Sequence, residues 1–131
     1  VILELAARLS GGFFCLAHEW CFGVPFIDCA IRLALGKTIE RPIATGGDLV
    51  CQRYVFPEQP DIGKRVTEVF GNKLDGIRHA TYAVKPGDVI RPVISHGQRL
   101  GQAIATGSTP AQAQQRAEAA VAAMKAGMIL E

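Results

Sequence analysis

The stretch Val1 to Gly12, V-I-L-E-L-A-A-R-L-S-G-G, sets a carboxylate at Glu4 and a guanidinium at Arg8 ahead of a Ser10-Gly11-Gly12 turn. On a strand, alternate residues point to opposite faces. Glu4, Ala6 and Arg8 then share one face, and Val1, Leu3, Leu5 and Ala7 form the apolar other. Two explanations of the charged face stand side by side. The plain one is a strand with one solvated side. The chemical one is a metal and phosphate face: Glu4 supplies hard oxygens to a magnesium that bridges nucleotide phosphates. Arg8, about 13 Å along the strand at roughly 3.3 Å per residue, clamps the anion being transferred.

Other reactive side chains form less complete groups. Cys15-x-x-His18-x-x-Cys21 carries proper zinc ligands at plausible spacing, but a structural site needs four, and no second pair with ligand spacing follows. Plain packing is the stronger reading of these residues. His18-Glu19 belongs to a loop, where either side chain is solvated or helps select a substrate. His79 falls mid-strand and His96 in a turn, both as structural or solvated imidazoles. Ser95-His96 is not a nucleophile and its base, because neighbours on a strand point apart and no acidic orienter is evident. Lys85 and Arg91 flank a Pro86-Gly87-Asp88 turn and form a solvated rim.

Composition bounds what these residues can serve. At 131 residues, 49% hydrophobic and 20% charged, the chain has the apolar content for a folded core. A net charge of +2 with scattered basic residues leaves no electrostatic footprint for nucleic acid or an anionic membrane, and small-molecule chemistry fits better. Arg, Glu, His or Lys interrupts every candidate for a span of roughly 20 apolar residues. Cys15, Cys21, Cys29 and Cys51 are irregularly spaced with no secretory signal, so they read as reduced, cytoplasmic and mostly buried. The opening on Val1 inside a strand pattern reads as the end of something longer.

The elements that must position these residues follow from local signals. Phe13-Phe14-Cys15-Leu16 reads as an extended or loop segment over the end of the first strand, closed by Gly23. A helix follows from Pro25 to Gly36, with Phe26, Ile27, Ala30, Ile31, Leu33, Ala34 and Leu35 as a broad apolar face. Pro42 and Gly46-Gly47 mark a connection, and a boundary near it divides the chain into 1–36 and 37–131. The second part reads as strands over 48–56, 65–70, 77–84, 89–95 and 100–106, the last two pairing as a hairpin through a His96-Gly97 turn. A closing helix runs to about Lys125, with Thr109 as N-cap, Pro110 first, Gln112 completing a capping box and Gly127 beyond its end. Ala117, Ala120, Val121 and Met124 form its apolar stripe. The fold class is therefore α+β, a small antiparallel sheet packed by a C-terminal helix.

The segment from Glu4 through Arg8 and Gly11-Gly12-Phe13-Phe14, with Gly23-Val24 and the helix ending Ala30-Ile-Arg-Leu-Ala-Leu-Gly36, resembles the last strand and helix of an ATP-grasp ligase. Val84-Lys-Pro-Gly-Asp-Val89, Arg99-Leu-Gly101, Ile104-Ala-Thr-Gly107 and the Ala-rich final helix resemble the small C-terminal subdomain of L-amino-acid ligases and related carboxylate-amine ligases, a biotin carboxylase-like arrangement. The resemblance covers nearly the whole chain. It implies ATP and magnesium as cofactors, a carboxylate activated as an acyl phosphate, and an amine or related nucleophile that displaces phosphate. Catalysis of that kind is positioning plus charge neutralisation. Carried over by motif, Glu4 is the magnesium ligand, Arg8 binds the carboxylate or the phosphate in transfer, the Ser10-Gly11-Gly12 backbone approaches the substrate, and His18 lies where such enzymes vary a loop near it.

Two positions depart from the family pattern. An Asn that usually binds metal between the Glu and the Arg is Ala6 here, which removes one oxygen ligand; magnesium keeps waters readily, so a water could take the place. Pro25 replaces an acidic residue at the start of the following helix, and either suits a helix beginning. The nucleotide-binding lysines, adenine pocket, earlier metal carboxylate and lid would have to come from upstream ATP-grasp subdomains of the same parent protein. The other reading of the resemblance is a non-catalytic remnant that serves as a packing or homodimerisation module.

Overall fold

The computed structural model describes residues 8–71 and 74–131. It is α+β and divides into two compact units, Val1–Asp48 and Leu49–Glu131. The strand expected to carry Glu4 and Ala6 lies outside the described residues; Arg8 to Phe13 form a loop.

In the first unit, helix α1 (Phe14–Phe22) occupies the segment expected to be extended or loop from Phe13 to Leu16. A short apolar run has no period of its own, and here it is the start of a longer helix. The Ala17 amide donates to the Phe13 carbonyl at 2.9 Å, and Gly23, left-handed at φ 68°, closes the other end by donating to the Glu19 carbonyl at 2.7 Å. Two more last-turn carbonyls are satisfied from far along the chain: Thr45 N–H donates to Phe22 at 2.9 Å and Asp48 N–H to Trp20 at 3.1 Å. This strap lies so close that a Cβ on Gly47 would stand 2.0 Å from the Trp20 carbonyl oxygen, so only glycine fits. Helix α2 (Phe26–Ala34) follows, with Pro25 as its N-cap rather than its first residue, and Gly36 takes the left-handed stop at φ 69°. Asp28 and Arg32 pair along it at 2.7 Å. No residue of α2 is buried. No single described helix is long and apolar enough to cross a membrane.

The second unit is built on an antiparallel sheet of order β1-β4-β3, from β1 (Leu49–Val55), β3 (Ile77–Tyr82) and β4 (Gly101–Gly107). Helix α3 (Pro110–Ala126) covers one face. Its buried residues, Ala113, Ala117, Ala120 and Met124, recur at helical spacing. Small residues meet small residues here: Gly101, Ala103, Ala105 and Gly107 alternate on one side of β4. A Cβ on Gly107 would stand 2.6 Å from the Ala113 amide nitrogen. The core joins Val55, Val66, Ile90, Leu100, Ala103, Ala120, Met124 and Met128. Val66 and Met128 come from a second, two-stranded sheet of β2 (Val66–Val69) with β5 (Met128–Leu130), a strand with no counterpart in the sequence expectation.

Three expectations are corrected in this unit. Residues 89–95 form no strand; Pro92 lacks an amide for a ladder, and the segment is tied instead to the loop at 63–66. There Ile90 N–H donates to Lys64 and Gly63 N–H to Ile90, which seats the Ile90 side chain in the core. The expected hairpin therefore does not form, and β4 lies between β1 and β3. The expected turn at His96-Gly97 is a short 3-10 turn, His96–Gln98, whose Gln98 side chain accepts from the Ile94 and Ser95 amides. Thr109 does cap α3, accepting from Gln112 N–H at 3.2 Å, but the Gln112 side-chain oxygen accepts from the amide and hydroxyl of Ser108 rather than closing a box on Thr109.

Tyr82 ties the two sheets to α3. Its hydroxyl lies 2.7 Å from the Met124 carbonyl and 3.0 Å from that of Phe70, so its one proton is held between two acceptors. Burial pushes this phenol above its ordinary value of 10.0, because the phenolate would lose water.

Candidate functional site

The residues expected to carry chemistry cluster at the start of the first unit. Arg8 is exposed, and its Nη1 reaches only the neighbouring Leu9 carbonyl at 3.4 Å. Among the described residues no carboxylate pairs with it. Ser10, Gly11 and Gly12 are exposed and lead into α1; Gly12 is left-handed at φ 66°, which explains a glycine there. Among the described residues, nothing stands within 4 Å of a Cβ placed at Gly11 or Gly12. Phe13, the N-cap of α1, brings no side-chain hydrogen bond to the first turn. A guanidinium, bare backbone and a helix start thus follow one another, a sequence of groups suited to an anion. Glu4, the expected magnesium ligand, lies outside the described residues.

His18 lies on α1 rather than on a loop. Its Nδ1 is 2.7 Å from the Phe14 carbonyl, which can only accept, so that nitrogen donates a proton to it. The ring stacks on Phe22 at 5.8 Å and meets Phe26 edge-on at 5.6 Å. No described contact joins His18 to Arg8 or to the glycine pair. The aromatic partners escaped sequence reasoning because His18 and Phe22 become neighbours only on a helix, and the segment did not read as one. The zinc half-site does not assemble either. Cys15 is buried with its thiol towards the Ser10 carbonyl at 3.8 Å, His18 spends Nδ1 on Phe14, and the described residues hold no metal-binding group of three or more His, Cys, Asp or Glu.

The fold is similar to part of an ATP-grasp ligase. It matches the crystal structure of phosphoribosylglycinamide synthetase from Anaerococcus prevotii with a TM-score of 0.67 at 13% sequence identity. The match covers 91% of this chain and 30% of that one, so the chain spans under a third of the synthetase's length. At that identity the likeness speaks for the fold. The family comes from sequence: residues 53–127 match L-amino acid ligase C-terminal domain 2, and the chain belongs to that family. No curated protein matches the chain in sequence.

Proposed function

We propose that this chain works as part of an ATP- and magnesium-dependent ligase that activates a carboxylate as an acyl phosphate for attack by an amine or related nucleophile. The observation that carries the reading is the family match over 53–127 on a chain whose fold follows an ATP-grasp ligase over 91% of its length. In this reading Glu4 gives oxygens to the magnesium, whose chemistry is to neutralise the phosphates. Arg8 clamps the carboxylate or the phosphoryl group, and the Ser10-Gly11-Gly12 backbone lets the reacting atoms approach. His18 contributes to substrate selection. The small molecules are held between this region and ATP-grasp subdomains elsewhere in the parent protein, in the cytoplasm.

The test uses the parent protein and phosphate release from ATP and magnesium across a panel of carboxylates and amines. Arg8→Ala is expected to lower turnover about a hundredfold or more, the scale of losing one group aimed at developing charge, with the fold unchanged. Near-normal turnover in Arg8→Ala and Glu4→Gln would remove both residues from the site. Ala6, in place of an oxygen ligand, favours a second reading as a packing or dimerisation module. Ala6→Asn separates the two: a working metal site keeps or gains magnesium affinity, and an inert one does not respond.

A further inference from the structure

Arg99 differs from the arginines that pair with carboxylates. Arg32, Arg53 and Arg116 each face a carboxylate, of Asp28, Glu118 and Asp75 respectively. Arg65 donates to the Gly87 carbonyl. Arg99 instead lies over the Tyr54 ring, its guanidinium carbon 3.6 Å from the centroid, and its Nη2 donates to His96 Nδ1. A guanidinium cannot accept, so His96 presents a lone pair there and adds no negative charge. Among the described residues no carboxylate pairs with Arg99, although its side chain is half-buried.

Gln102 lies directly across the ladder from Tyr54 on the sheet face away from α3. Its Oε1 accepts from Gln52 Nε2 at 2.7 Å, which leaves the Gln102 amide hydrogens as donors. Stacking and the His96 bond have already removed much of the side-chain freedom that Arg99 would lose on binding, which lowers the ordering cost for a ligand. Only one of five N–H groups is spent on His96, and the planar fork suits two oxygens of one anion.

We propose that Arg99, oriented by Tyr54 and His96, binds an oxyanion, the carboxylate or phosphate group of a small molecule. The site lies within the second unit. The 131-residue chain is titrated with inorganic phosphate and, separately, with succinate, following the Arg99 Nε–H and Tyr54 ring resonances by NMR. At least one anion is expected to give saturable shifts, and which one saturates identifies the group. Arg99→Lys keeps the charge but loses the fork and the stack, and is expected to weaken binding about tenfold or more. Tyr54→Phe, which keeps the stacking face, and Arg91→Gln, which removes an exposed arginine elsewhere, should bind as the unaltered chain does. Shifts that rise linearly with both anions, or affinity that survives Arg99→Lys, would overturn the site.

Discussion

The two units hold themselves together by different means. In the second, strands, helix and loops converge on one cluster, with Val55, Val66 and Ile90 almost wholly removed from water. In the first, the buried apolar residues among those described are Cys15 and Val24, and main-chain hydrogen bonds close the ends of α1 and α2. Phe26, Ile27, Ile31, Leu33 and Leu35 remain exposed in and beside α2. The difference teaches that helical pattern and burial are separable. An apolar stripe forms a helix locally, but it contributes hydrophobic free energy only where another surface covers it. Contiguous apolar surface of this kind is what interaction faces are made of.

Core truncation is the strongest way to break that contrast. Ile90→Ala removes a side chain 1% exposed and is expected to cost about 2–5 kcal/mol in chemical denaturation. An effect under 1 kcal/mol would mean that the loop carrying Ile90 is not part of the core. A smaller loss is expected for Tyr82→Phe, which removes the hydroxyl linking Met124 and Phe70, at about 1 kcal/mol. The same phenol predicts a pH dependence. Its folded value is raised, so the folded state holds the proton more tightly, and the stability from Tyr82 is complete below pH 10.0 and lost as the phenol ionises above it. Denaturation midpoints across that range should fall more steeply for the unaltered chain than for Tyr82→Phe; parallel curves would remove the linkage. The smallest effect belongs to the first unit. Ile31→Ala, at a residue 53% exposed on α2, should change stability by no more than about 0.5 kcal/mol. A loss like that of Ile90→Ala would show that α2 is covered in solution.

Arg8 and the Ser10-Gly11-Gly12 turn were readable as candidates because residue type and order alone suggest anion chemistry. His18 was readable as a polar residue near them in sequence, but its hydrogen bond to Phe14 and its Phe22 and Phe26 neighbours required the helix to exist. The Arg99 arrangement left no trace in sequence, since Tyr54 lies 45 residues away and meets Arg99 only through the β1–β4 ladder.

By itself the sequence determined what is local: the Thr109-Pro110 start of α3, the left-handed Gly36 stop, the alanine face of α3, and the strand segments that became β1 to β4. Each depends on interactions within a few residues, where side-chain identity limits the backbone. The tertiary structure decided what depends on a distant partner. It set β4 between β1 and β3, joined β5 to β2, drew the 89–95 segment out of any ladder, and capped α1 with the strap from Thr45 to Asp48. Several segments can offer the same hydrogen bonds and apolar faces, and only packing of the whole chain selects among them.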